Sequence, residues 1–154
     1  MPPTRTPRGV MVTSDARFGI KAAVKAILPG ASWQRCRVHF ARNVTSELSS
    51  VRSKPTGALI STVFGQTTQE AVTIQYEQVI GSLRPSFPEV VSILTEAESD
   101  LIAFAVFPRV HWPTIWSNNL IKRLGREIKR RADVVPVFLS QDCVTRLIGA
   151  VLLE

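Results

Sequence analysis

One stretch of this chain has the character of a β-strand. Gly9–Thr13 (Gly-Val-Met-Val-Thr) is a short apolar run closed by Ser14-Asp15, and the apolar patterns after it recur at three- and four-residue spacing, the period of helices. A single strand leaves both of its edges unpaired, so such a chain is expected to be mainly helical around an α/β element that is incomplete in itself. Asp15 then stands at the carboxyl end of a strand, where α/β proteins often place working side chains. An aspartate capping the next helix would have the same sequence.

Phe18 to Leu28 reads as that next helix, with Phe18, Ala22 and Ala26 on one stripe and Pro29-Gly30 as its stop. Gln34 to Leu48 is helical again through Cys36, Phe40, Val44 and Leu48, and it is basic. Residues 57–65, 68–83 and 88–107 continue as helices, separated by Thr67-Thr68 and by the breaks at Pro85 and Pro88. Pro108 to Trp116 reads as a loop. Residues 119–131 and 142–153 read as two more helices. The first eight residues hold three prolines and read as an unstructured lead-in.

Charge divides the chain more sharply than its total of +7 suggests. Residues 1–54 carry ten Lys/Arg against two acids, 55–115 carry two against six, and 116–154 carry seven against four. Basic ends around an acidic middle suit a polyanion-binding surface, since phosphate contacts need clustered cations. No apolar run approaches the roughly 18–20 residues of a membrane span. The basic start is followed by no apolar leader segment, and two cysteines are too few for a disulfide framework, so a cytoplasmic protein is expected.

Two clusters could carry chemistry. Cys36 and His39 lie one helical turn apart, but a zinc site needs about four ligands and the other candidates, His111 and Cys143, are each isolated. A packed pair fixing its helix against the strand of Asp15 is the better reading. The second cluster is Trp116 to Arg131. Ile121, Leu124 and Ile128 share one helix face there, while Lys122, Arg123, Arg126, Lys129, Arg130 and Arg131 surround it with Glu127 as the one acid. Such a helix suits sequence-independent contact with nucleic-acid phosphates, and a solvated basic face is the plain alternative.

Five segments, in order, resemble the C-terminal half of the Mutator-like transposases of bacterial insertion sequences. They are Val12–Ile20, Leu28–Asn43 with its Cys-Arg-Val-His, Phe104–Arg109, Ile115–Asn119 and Arg126–Arg131. The resemblance implies an α/β RNase H-like core interrupted by a mainly helical insertion, and two divalent metals, Mg2+ or Mn2+, held by an Asp-Asp-Glu triad for strand cleavage and transfer. It makes Asp15 the second acid of the triad and a metal ligand, with Cys36 and His39 as its supporting neighbours. It divides the chain into the lead-in 1–8, a partial core 9–54, an acidic helical insertion 55–115 and a basic region 116–154.

The sequence departs from that family at two acids. The family's first aspartate lies before the strand at Gly9 and has no counterpart, so the core is read as truncated; apolar faces at 18–28 and 119–131 would then lack part of their sheet, and a mainly helical, partly molten or aggregation-prone chain is expected. The family's glutamate stands in an Asn-x-x-Glu-Arg pattern, and Asn119-Leu-Ile-Lys-Arg123 puts Lys122 in its place. Glu127 lies five residues further on, about 500° around the helix and off that face. The expectation is therefore a bacterial transposase fragment without activity of its own. Arg123, Arg126, Lys129, Arg130 and Arg131 would make weak, non-specific DNA contacts. The alternative is a non-enzymatic fragment that binds DNA or full-length transposase and inhibits it.

Overall fold

The computed structural model describes residues 10–17, 19–134 and 140–153; the lead-in, Gly9 and Phe18 of the expected elements lie outside them. The chain divides between Ser117 and Asn118 into two compact units. The described residues are predominantly helical, and none of their helices is long and apolar enough to cross a membrane.

In the first unit, β1 (Met11–Ser14) leads through α1 (Ile20–Ile27) to β2 (Ser32–Arg35). The two strands pair in parallel, in a register running from Met11 opposite Ser32 to Ser14 opposite Arg35. This corrects two expectations. β1 is paired along one edge, and the helix expected from Gln34 begins only at Arg37. The helical spacing through Cys36 carries no marker of where it starts. A glutamine at the centre of the strand hides the β pattern because it is polar, yet Gln34 is fully buried. Its amide donates to the Leu101 carbonyl at 2.7 Å and its carbonyl accepts from the Phe104 N–H at 2.8 Å. Each of those groups would cost about 1–3 kcal/mol if left unsatisfied, so the tertiary partners override the local pattern.

The rest of the unit is α2 (Arg37–Ser46), α3 (Ser50–Ser61), α4 (Gln69–Leu83), α5 (Pro88–Leu101) and the short α6 (Trp112–Ile115). Thr68 caps α4 by accepting from the Ala71 N–H at 3.2 Å, and Pro88 opens α5 at a position whose N–H has no helical partner. Three further expectations need correction. The helix expected at 57–65 begins at Ser50, runs through Pro55, and ends in a 3-10 turn at Thr62–Gly65. Pro55 removes only the bond to the Val51 carbonyl, and Val51 is 82% exposed, where water can replace it. The helix expected to reach residue 107 stops at Leu101 before a 3-10 turn at Ala103–Val106. The expected loop 108–116 is a 3-10 turn at Arg109–His111 followed by α6.

The core of this unit belongs to its helices. Val72, Tyr76, Val79, Ile80 and Leu83 of α4 face Val90, Leu94, Ala97 and Leu101 of α5 in one buried cluster with Phe40, Val44, Ile60 and Phe104. Tyr76 is buried because its hydroxyl donates to the Leu94 carbonyl at 2.7 Å; burial, with Glu98 nearby, pushes its pKa up. The helical segment thus packs a core of its own. By contrast α1 buries none of its residues, and Ile27 is 75% exposed.

The second unit consists of α7 (Asn119–Ala132) and α8 (Gln141–Leu153), which pack on each other. α7 buries no residue, and Leu120 and Ile121 are exposed.

Candidate functional site

Asp15 follows directly on the last residue of β1. One carboxylate oxygen accepts from the Ala16 N–H at 2.9 Å, and the other lies 3.8 Å from Nε of Arg17. Arg17 is 81% exposed, so this pair contributes little. The capping alternative does not hold. α1 begins at Ile20, its N-cap is Gly19 in the left-handed region at φ 89°, and no side chain caps it. Asp15 therefore keeps a partly exposed carboxylate that no helix end uses.

The neighbours of Asp15 are fixed by the strand pair. The Cys36 N–H donates to the Ser14 carbonyl at 2.8 Å, extending the ladder one residue beyond β2. Cys36 is fully buried as the N-cap residue of α2, and His39 sits half-buried in its first turn. The structure thus brings Cys36 next to the strand end that carries Asp15. Ser14 also accepts from the Trp33 indole N–H at 2.8 Å through its hydroxyl oxygen.

A third segment closes on the same place: Ile115 and Trp116, which the resemblance includes without any sign that they meet this strand pair. The Thr13 hydroxyl donates to the Ile115 carbonyl, and the Arg37 N–H donates to the Trp116 carbonyl at 3.0 Å. The Arg37 guanidinium lies 4.1 Å from the centre of the Trp116 ring and 5.1 Å from that of Phe64. Burial lowers its pKa from the ordinary arginine value, with Cys36 acting in the opposite sense. Trp116 in turn meets Phe64 and Phe104 edge-on. Two tryptophans four residues apart, Trp112 and Trp116, were the available signal for a helical turn here.

On α7, Lys122, Arg123, Arg126, Lys129 and Arg130 are exposed. Glu127 is engaged by its own helix: its carboxylate accepts from Arg130 at 2.7 and 3.0 Å and from Nε of Arg131 at 2.9 Å. Those bonds, to Arg130 first and Arg131 second, pull its pKa down to about 2 from 4.5. Arg123, Arg126 and Lys129 form no ion pair among the described residues.

A pH dependence follows. The unfolded chain takes up a proton at Glu127 near 4.5 and the folded helix only near 2, so the stabilisation is fully present above pH 4.5 and is lost as pH falls through about 2. Circular dichroism of the wild type should lose helical signal across that window. The E127Q variant should lack that component and be somewhat less helical at pH 7. Superimposable acid titrations of the two proteins would contradict the assignment.

Among the described residues no three His, Cys, Asp or Glu side chains gather as a metal site. A two-metal centre needs several clustered oxygen ligands, so the described residues do not complete one by themselves.

Residues 7–154 match the family described as transposase, Mutator family. Over 144 residues the chain is 42% identical to the transposase for insertion sequence element IS1081 of Mycobacterium tuberculosis, covering 94% of this chain and 35% of that protein. Over 146 residues it is 30% identical to the transposase for insertion sequence element IS256 in transposon Tn4001 of Staphylococcus aureus, covering 94% and 37% respectively. The chain spans little more than a third of the length of these relatives. With nearly all of its residues inside the family match, the chain belongs to the Mutator family of insertion-sequence transposases.

Proposed function

We propose that this chain is the C-terminal part of a DDE-type transposase, in which it binds DNA and supplies one metal ligand, and that it does not cut DNA unaided. The observation that carries the reading is Asp15 at the carboxyl end of a parallel strand, uncommitted to any cap and beside the buried Cys36. In this reading residues 9–54 are part of an RNase H-like core, 55–115 its helical insertion, and 116–154 the region of the third acid. Cys36 and His39 are positioning neighbours of Asp15. The setting is the bacterial cytoplasm.

Mg2+ or Mn2+, when bound, supplies the Lewis acidity that phosphoryl transfer on DNA needs. Asp15 offers one carboxylate toward it. In the position of the pattern that carries the family's glutamate this chain has Lys122, a cation that cannot serve as an oxygen ligand. Glu127 is held by two arginines, which argues against its taking over.

The DNA contacts are assigned to Arg123, Arg126, Lys129, Arg130 and Arg131. They would be made to the phosphate backbone, so binding is weak, non-specific and salt-sensitive. The engaged Glu127 and the lysine at 122 also favour a second reading, a non-catalytic fragment that inhibits by occupying DNA or full-length transposase.

The test uses strand cleavage. The 154-residue chain should neither nick nor join DNA with Mg2+ or Mn2+. Joined to the remaining two-thirds of the IS1081 relative and carrying K122E, it should recover metal-dependent cleavage, and D15N in that chimera should abolish it. Nicking by the chain alone would overturn its inactivity, and a dead K122E chimera would overturn the place given to the third acid.

A further inference from the structure

We infer that the groove between α1 and Trp33 is a binding site for an unpaired nucleotide of a DNA strand, with the base stacked on the Trp33 indole and the flanking phosphates on Arg17 and Lys25. The inference rests on the DNA-binding reading above and assigns a part of the chain that this reading leaves unused.

The groove has a volume of about 480 Å3 and lies beside the strand end that bears Asp15. Trp33 is its aromatic surface. Its backbone is fixed opposite Val12 in the strand pair, and its ring N–H donates to the Ser14 hydroxyl at 2.8 Å. A tryptophan so fixed, half-buried rather than packed away, loses little conformational freedom when a flat group settles on it. Ala22 is small enough to leave room for one.

The charges around the ring suit a nucleotide chain. Lys21 bonds both oxygens of Asp100 at 2.6 Å, and its ammonium lies 5.2 Å from the centre of the indole. That pair neutralises Asp100, the acid among the groove's lining residues, and leaves two exposed cations, Lys25 and an Arg17 held only loosely by Asp15 at 3.8 Å. Arg17 precedes α1 and Lys25 lies in its last turn, so the two cations are separated by nearly the length of the helix, at about 1.5 Å per residue. A free nucleotide carries phosphate at one end only, whereas a strand passing through presents one on each side of a base. In a duplex both faces of a base are already stacked, so an indole can take only an unpaired base.

Anisotropy of a fluorescein-labelled oligothymidylate and of a duplex of equal length, titrated with the full chain, tests this. W33A should weaken single-strand binding about tenfold and leave duplex binding unchanged, while W33F retains most of it. K25E should weaken single-strand binding and flatten its salt dependence. Unchanged single-strand affinity in W33A, or an equal loss on both DNAs, overturns the groove and leaves the DNA-binding reading standing. If W33A loses its helical dichroism, K25E on its exposed side chain decides, and unchanged affinity overturns the groove. A wild-type chain that binds neither DNA overturns both.

Discussion

The F104A variant is expected to lose about 3–5 kcal/mol of stability, the cost of removing a large aromatic from a site that cannot collapse around the gap. Phe104 is fully buried, with its ring centre 5.6 Å from that of Phe64, 5.0 Å from Trp112 and 5.6 Å from Trp116. Edge-to-face and stacked pairs of this kind add about 0.5–1.5 kcal/mol each beyond area burial. Its N–H is also the one that satisfies the buried carbonyl of Gln34, so a shifted turn at Ala103–Val106 would disturb β2 as well. Domains have only about 5–15 kcal/mol in total, which puts the variant near the edge of folding. The check is a denaturant titration followed by tryptophan fluorescence, for which Trp112 and Trp116 are the reporters. V106A, at a half-exposed position two residues away, is the control and should shift stability by no more than about 0.5 kcal/mol. Equal midpoint shifts in the two variants would show that the aromatic cluster does not hold the unit together.

The parts of this structure that could be read from sequence are those whose cause is local. α4, α5, α7 and α8 carry apolar residues at helical spacing, and Thr68 and Pro88 mark two of their starts, so their existence and where they begin follow from periodicity and capping, whereas the end of α5 at Leu101 does not. β2 could not be read in that way. Its central residue is buried because Leu101 and Phe104, far along the chain, complete its hydrogen bonds, and no local window contains them. The helical residues before 57 escape notice for the same reason in reverse: the bond that Pro55 cannot make falls at a wet position that the sequence does not mark. The candidate site divides likewise. The placement of Asp15 at a strand end was readable from its neighbours. Whether it capped a helix depended on where α1 starts, and the anchoring of Ile115 and Trp116 beside it depended on contacts from Thr13 and Arg37 about 80 to 100 residues earlier in the chain.

Removing three cations from α7 is expected to have the largest effect on DNA binding. Arg123, Arg126 and Lys129 follow one another at three-residue spacing along an inclined row of the helix, and none has a carboxylate partner among the described residues. Arg130 and Arg131, by contrast, already spend donors on Glu127. If each of the three neutralises one phosphate, the triple alanine variant should flatten the slope of log affinity against log salt by about 2.7, at about 0.9 per contact. Near 0.1 M salt that corresponds to an affinity loss of at least about a hundredfold, the same on any duplex sequence because phosphates carry no sequence information. E127Q should act in the opposite direction. It releases the exposed Arg130 guanidinium from its carboxylate, and both affinity and salt slope should rise. Fluorescence anisotropy across a salt series on two unrelated duplexes measures all of these quantities. A triple variant whose slope matches the wild type would mean that the row faces no phosphate, and the contact would then have to be sought among the basic residues of the first unit.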